Sequence, residues 1–340
     1  MATIPDSEHP LRYDIAAWVL TGLALFLVLR LHLLSALIAG LLVFEAVHVV
    51  APWIRATARD RNRRLVAVGL LAAAISLLIT LIVAGLITFF SSESGSVPAL
   101  LQKMASIIED ARARLPDWVA GHLSHDVAGL QAAIVEWLRT HASDLTGWGE
   151  AAGRVLAHIL IGLVIGALVS LREADAGERT GPLARALSER AARLGEAFRR
   201  IVFAQIRISA LNTTLTAAYL VLVLPMLDIH LPLLKTLIVI TFLAGLLPVL
   251  GNLISNTVIV VVSLSFSLYA AIASLVFLVA IHKLEYFVNA RIVGSQIRAS
   301  AWELLLAMLV MEAAFGLPGV IAAPIFYAYL KDELSSRGLL

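Results

Sequence analysis

The sequence of 340 residues contains no cysteine, and only 15% of it is charged against 60% hydrophobic. Without cysteine there is no disulfide framework, no thiolate metal site and no cysteine nucleophile. A soluble domain carries about 25% charge and about 45–50% apolar residues. This chain has too little polar surface to cover its apolar mass in water, and its mean hydropathy of +0.91 agrees. Disordered, collagen-like and nucleic-acid-binding chains are excluded on the same grounds. A basic leader is missing as well: Asp6, Glu8 and Arg12 precede the first apolar stretch. A retained transmembrane helix is expected there, not a cleaved signal peptide.

Several motifs are absent. No G-x-x-x-x-G-K-[ST] loop exists for a nucleotide, and no G-x-S-x-G or H-E-x-x-H for hydrolysis. Arginines do not recur every third residue within a span, as a voltage sensor requires. No enzyme, cofactor or resident metal is expected. Glu45-x-x-His48 lacks the second copy of a di-iron site. His122-x-x-His125 with Asp126 reads more simply as an exposed helix face.

What is present is a series of apolar runs near the roughly 20 residues that cross a bilayer. They fall at 15–29, 31–50, 65–90, 151–171, 208–227, 233–247, 253–281 and 301–330. Arg30 and His32 mark a tight joint, and 228–232 a second. The fold class expected is all-α: a polytopic integral membrane protein of about eight transmembrane helices, Pro/Gly-broken in its C-terminal third, with a small extracytoplasmic helical domain. The predicted organisation is 1–90 for the first three spans, 91–150 for the outer domain and 151–171 for the fourth span. A cytoplasmic amphipathic basic helix follows at 172–207, and a C-terminal core with broken helices at 208–340.

Charge placement sets the orientation. Arg55, Arg59, Arg61, Arg63 and Arg64 form one basic knot, and 172–207 holds eight arginines with five acids. Lys- and Arg-rich short segments stay in the cytoplasm. Segment 91–150 has eight acidic and four basic residues, and lies one span from each basic block. It is therefore expected outside, with both termini inside. Within it, Val97, Leu100, Leu101, Met104, Ile107 and Ile108 repeat at helical spacing. Leu123, Val127, Leu130, Ile134 and Trp137 form a second apolar seam. On the basic helix Leu183, Leu187, Leu194, Phe198 and Val202 share a face, which packs on its own protein or lies on the inner leaflet.

The candidate path is read from broken helices and stranded polar groups. Within hydrocarbon every backbone N–H and C=O needs a partner, so breaks at Pro248/Gly251 and at Gly316/Pro318/Gly319 point to a cavity, or to tight turns. Glu312 is the sole charge between Glu303 and Lys331. It is either a proton- or cation-linked site or a neutral acid bonded across helices. His282, Glu285 and Asn289 share one helix face, with Arg291 near its end. Asn252 and Asn256 follow the first break and Pro324 the second; Asn212, Thr213 and Thr214 are weaker candidates. Gly162-x-x-x-Gly166 is a close-packing spacing.

The run Ala244-Gly245-Leu246-Leu247-Pro248-Val249-Leu250-Gly251, the segment 285–294 ending in Gly294, and Gly316, Gly319 and Pro324 near the end resemble the autoinducer-2 exporter family of bacterial membrane permeases. Gln205 resembles a recurrent glutamine of that family. The resemblance implies an inner (plasma) membrane exporter or permease of a small solute, a signalling molecule such as autoinducer-2 among the candidates. It would not be ATP-driven, and proton or sodium coupling is compatible. The resemblance also implies a homo-oligomer, with a pentamer as one form. The expected partners are the lipid bilayer and a small-molecule or ion substrate, and no nucleic acid. The competing expectation is a non-transporting membrane scaffold that binds partners through its outer and inner helices.

Overall fold

A computed structural model describes residues 8–55, 61–92, 97–114, 125–144, 148–175, 181–247, 250–292 and 300–338. The described residues are helical, with no strand. In chain order the helices are α1 (Glu8–Arg30), α2 (Leu34–Arg55), α3 (Arg61–Ser91), α4 (Val97–Arg114), α5 (His125–Asp144) and α6 (Trp148–Asp175). Then come α7 (Pro182–Ala218), α8 (Leu234–Gly245), α9 (Leu250–Leu264), α10 (Leu268–Ile292), α11 (Ala301–Phe315) and α12 (Leu317–Ser335). Four segments are long and apolar enough to cross a membrane: Arg12–Arg30, Val66–Phe90, Gly153–Arg172 and Pro182–Met226. Shorter apolar helices run over Leu34–Val50, Leu234–Gly245, Leu250–Leu264 and Leu268–Lys283. The fold is that of a polytopic helical membrane protein.

The joints lie where turn residues stand. His32 and Asp228 adopt left-handed backbone with φ of 57°, a region more open to His and Asp than to bulkier side chains. The apolar run 253–281 is not one helix. It divides at Ser265–Ser267, where Ser265 Oγ donates to the Val262 carbonyl (2.7 Å) and Ser267 Oγ accepts from the Ala270 N–H (3.0 Å). Serine competes for backbone hydrogen bonds in this way, ending one helix and capping the next. The final run also divides, at Gly316, whose φ of +64° and ψ of −148° suit only glycine.

The chain forms two compact units. The first comprises Met1–Val83, Arg154–Ile201 and Gln296–Leu340; the second comprises Ala84–Gly153 and Val202–Ser295. In the first, α2 crosses α6 where Ala36 and Gly40 meet Gly162 and Gly166. A Cβ at Gly162 would run into the Ala36 carbonyl, and one at Gly166 into that of Gly40, so the predicted close packing is present. Val43, Val47, Val68, Ala72 and Leu163 build the apolar core beside it. Helices α11 and α12 fold back as a hairpin against the end of α1, with Leu29, Leu34 and Ala322 buried between them.

The first half of α7 docks in this same unit. Ala186, Leu194, Ala197, Phe198 and Ile201 are buried, and so is Arg190 in the middle of that face. Arg190, Arg193, Arg199 and Arg200 pair with Asp14, Glu333, Glu45 and Asp332. This half packs on its own protein, the first of the two expectations for the basic helix.

In the second unit α4 and α5 pair, and Leu100, Met104, Ala105, Val135 and Leu138 share a core with Tyr219, Leu224, Leu237 and Ile259. The α4 periodicity reads correctly: Leu100, Met104 and Ile107 face inward. The α5 seam is corrected by one position. Val135 and Leu138 are buried while Ile134 and Trp137 are 40% and 56% exposed. Trp137 stacks on His141 instead, ring centroids 4.2 Å apart. Two apolar stripes lie side by side on this helix, and spacing alone does not say which one meets α4.

Candidate functional site

The Pro-Gly break after α8 is answered by α7. Gln205 donates its amide to the Gly245 carbonyl at 2.6 Å, and Ser209 donates its hydroxyl to the Phe242 carbonyl at 2.6 Å. These carbonyls belong to the last turn of α8, which has no further helix to supply their N–H partners. On the other side of the break, Gly251 lets α9 lie against the backbone of Ala244 and Gly245. With a rise of ~1.5 Å per residue, the 12-residue α8 and 15-residue α9 are each roughly 18–23 Å long. Both fall short of the ~30 Å hydrocarbon core.

Next along α7 comes Asn212, buried, whose side-chain amide donates to Asn252 Oδ1 of α9 at 2.9 Å. The Asn252 amide in turn lies 3.1 Å from His282 Nδ1 of α10. Seven residues beyond Asn212, Tyr219 Oη is 3.0 Å from Ser274 Oγ of α10, which is 2.8 Å from Ser263 Oγ of α9. The same three helices thus carry two hydrogen-bonded layers. Gln205, Ser209, Asn212, Thr216 and Tyr219 recur every three or four residues, one polar stripe along α7 that ends on the first residue of the π-helical turn Tyr219–Val223 continuing it. The layers differ in access. His282 is exposed and Asn252 half-buried, whereas Thr216, Tyr219, Ser263 and Ser274 are all buried.

Of the residues singled out by sequence, Gly251, Asn252 and His282 are brought together here, with Asn256 half-buried one turn along α9. Pro248 lies outside the described residues. Glu285, Asn289 and Arg291 lie in α10, their side chains outside the described residues. His122 lies outside the described residues too. Glu312, Gly316, Pro318, Gly319 and Pro324 belong to the other compact unit. There Gly319 lies against the Met311 carbonyl, closing the α11–α12 hairpin. Pro318 opens α12, and Pro324 is buried inside it. Glu312 is exposed on α11, and among the described residues its carboxylate has no ion pair or hydrogen-bond partner. It continues an outward face formed by Trp302, Leu305, Leu306 and Leu309.

Sequence reading passed over Ser209, Thr216, Tyr219, Ser263 and Ser274. The four-three spacing on α7 was there to be found, but serine, threonine and tyrosine in a span are common as helix-to-helix glue. Glu45 is also better placed than its motif suggested. It is buried, with Gly195 leaving room for its carboxylate and Arg199 Nε at 3.8 Å. His48 Nδ1 meets the Phe44 carbonyl at 2.9 Å.

A polytopic helical fold with a broken hairpin and, in its second unit, a polar stripe fits a membrane permease. The family model of the AI-2E family transporters matches residues 15–336, and the chain belongs to that family. No curated protein and no solved structure matched the chain.

Proposed function

We propose that this permease carries a small, uncharged, hydrogen-bonding solute across the bacterial inner membrane through the stripe of α7. The carrying observation is the Asn212–Asn252–His282 chain beside the α8–α9 break, graded from an exposed histidine to a buried amide. Amides and hydroxyls both donate and accept, so they replace water around a neutral polar solute. The stripe offers no countercharge among its described members, and an ion would cross it at a high desolvation cost. Family resemblance makes autoinducer-2 the first solute to test, with export as the direction.

Transport of this kind does not use ATP. Where it is coupled to protons or sodium, Glu312 and the α11–α12 hairpin are the site proposed. In this reading both termini are cytoplasmic and 91–150 lies outside, which the two arginine blocks support. The working form is a homo-oligomer.

Reconstitution into liposomes tests this reading. Wild-type protein is expected to move autoinducer-2 or another uncharged solute down its gradient. Asn212→Leu and Asn252→Leu are expected to reduce that flux at least tenfold. Flux unaffected by both substitutions sinks the proposed path. Absence of flux for every solute tried favours the scaffold reading.

A further inference from the structure

We propose that Tyr219 is the gate of the α7 path, an inference that rests on the stripe being that path. From the exposed His282 the polar groups lead inward through Asn252 and Asn212 to Thr216, and end at Tyr219. Beyond it, among the described residues, lies the apolar cluster of Leu224, Leu237, Ile259 and Val262, closed by Leu100 and Met104 of α4. Tyr219 belongs to both regions. Its ring stacks on Phe277 at 3.9 Å and 11°, and its hydroxyl completes the second polar layer on Ser274.

Two further observations mark this point. Thr216 is 1% exposed, and its hydroxyl has no hydrogen-bond partner. Thr80, Thr88, Ser170, Thr214 and Thr241 each donate to the carbonyl four residues back, the usual solution within a helix. Thr216 does not. A buried hydroxyl left unpaired costs about 1–3 kcal/mol, and a solute hydroxyl arriving from the Asn212 side would satisfy it, one turn short of the phenol. Second, Tyr219 opens a π-helical turn, Tyr219–Val223, closed by the Leu224 N–H on the Tyr219 carbonyl. Such turns insert one residue into an α-helix and recur at functional sites. Regaining α-helical geometry would rotate the residues past the turn, from Leu224 on, by about 100° relative to the stripe that ends at Tyr219. That gives the gate its movement: Leu224 leaves the apolar cluster packed around Tyr219, the phenol is freed from Ser274 and Phe277, and the way past Thr216 opens.

The test is erythritol leak from proteoliposomes, followed by osmotic light scattering. Tyr219→Ala is expected to raise the leak at least tenfold over wild type. Tyr219→Phe, which keeps the ring and loses only the hydroxyl, is expected to raise it about threefold, and Ser274→Ala likewise. Adding Asn212→Leu should return each leak to the wild-type level. If Tyr219→Ala stays tight while wild-type solute flux depends on Asn212, the gate is overturned and the path stands. A leak that Asn212→Leu does not suppress runs elsewhere and overturns both. Should Tyr219→Ala fail to fold, a Tyr219→Phe protein as tight as wild type overturns the gate by itself.

Discussion

Arg190 Nη2 of α7 stands 2.8 Å from Asp14 Oδ1 of α1 and 3.4 Å from Glu333 Oε1 of α12, with the arginine wholly buried. Arg337 pairs with the same aspartate at 2.5 Å and Arg193 with the same glutamate at 2.6 Å. Trp18 completes the ring, its indole N–H on Glu333 and its face 5.8 Å from the Arg190 guanidinium. Charges here alternate around an aromatic centre. The ion-pair distances are short, yet Nε and Nη2 of Arg190 lack well-aligned hydrogen bonds. Proximity holds the arginine more than directed bonding does.

Removing one partner of such a group strands the others. Arg190→Ala is expected to destabilise the protein by about 3 kcal/mol, within the range for broken buried pairs. Arg190→Met combined with Asp14→Asn should recover part of that loss, because neither change leaves the other's charge buried alone. Melting temperatures of the purified protein in detergent decide it. A double variant that loses the full sum of the two single substitutions would show that the two residues are not coupled.

The α2–α6 crossing predicts opposite responses from two glycines. Gly166→Ala forces a methyl into the Gly40 backbone, and is expected to cost about 1–3 kcal/mol as overpacking does. Gly22 of α1 has open space where its Cβ would stand. Gly22→Ala is expected to leave stability unchanged or raise it by up to about 1 kcal/mol through helix propensity. The same melting experiment, run on both, reads the sign of each.

Glu303 caps α11, accepting from the Ser300 N–H at 3.0 Å, and also accepts from Tyr327 at 2.9 Å and Lys331 at 2.7 Å. The hydrogen bond to Glu303 holds Lys331 above its ordinary value of 10.5. A lysine raised on folding contributes stability that is complete below its unfolded value and lost as pH climbs through the folded one. Lys331→Met should therefore lower the melting temperature by a constant amount between pH 7 and 9. The gap to wild type should narrow only above pH 10.5. A gap that changes across the neutral range would assign the effect to another group.

Glu312→Gln removes a carboxyl group without removing a contact. Its melting temperature is expected to match wild type within about 1 °C, as surface substitutions usually do. Solute flux in liposomes is expected to lose its pH dependence. Flux that keeps the wild-type pH profile excludes Glu312 from coupling.

The gross fold was legible because membranes simplify the reading of a sequence. Long apolar runs become helices, since no other open structure satisfies the backbone in lipid. The breaks at Gly316 and after Gly245 were visible for the same reason, as was the Gly162/Gly166 contact. Arg190 was not legible. It is one of six arginines on a helix whose exposed face looks alike, and its partners Asp14 and Glu333 are more than a hundred residues away in opposite directions. Tyr219 was hidden differently: one hydroxyl in an apolar run gains meaning only when Ser263 and Ser274 arrive from two other helices. The serine turn at 265–267 was read through, because serine is common in spans and signals a break only through its bonds.

The glycine crossing of α2 and α6 has a mechanical consequence. Main chain rests on main chain at Ala36, Gly40, Gly162 and Gly166, with no side chain between that could change rotamer to absorb a displacement. Two helices more than a hundred residues apart in sequence are thereby joined into one strut. Whatever bends during the transport cycle within this unit has to bend around it.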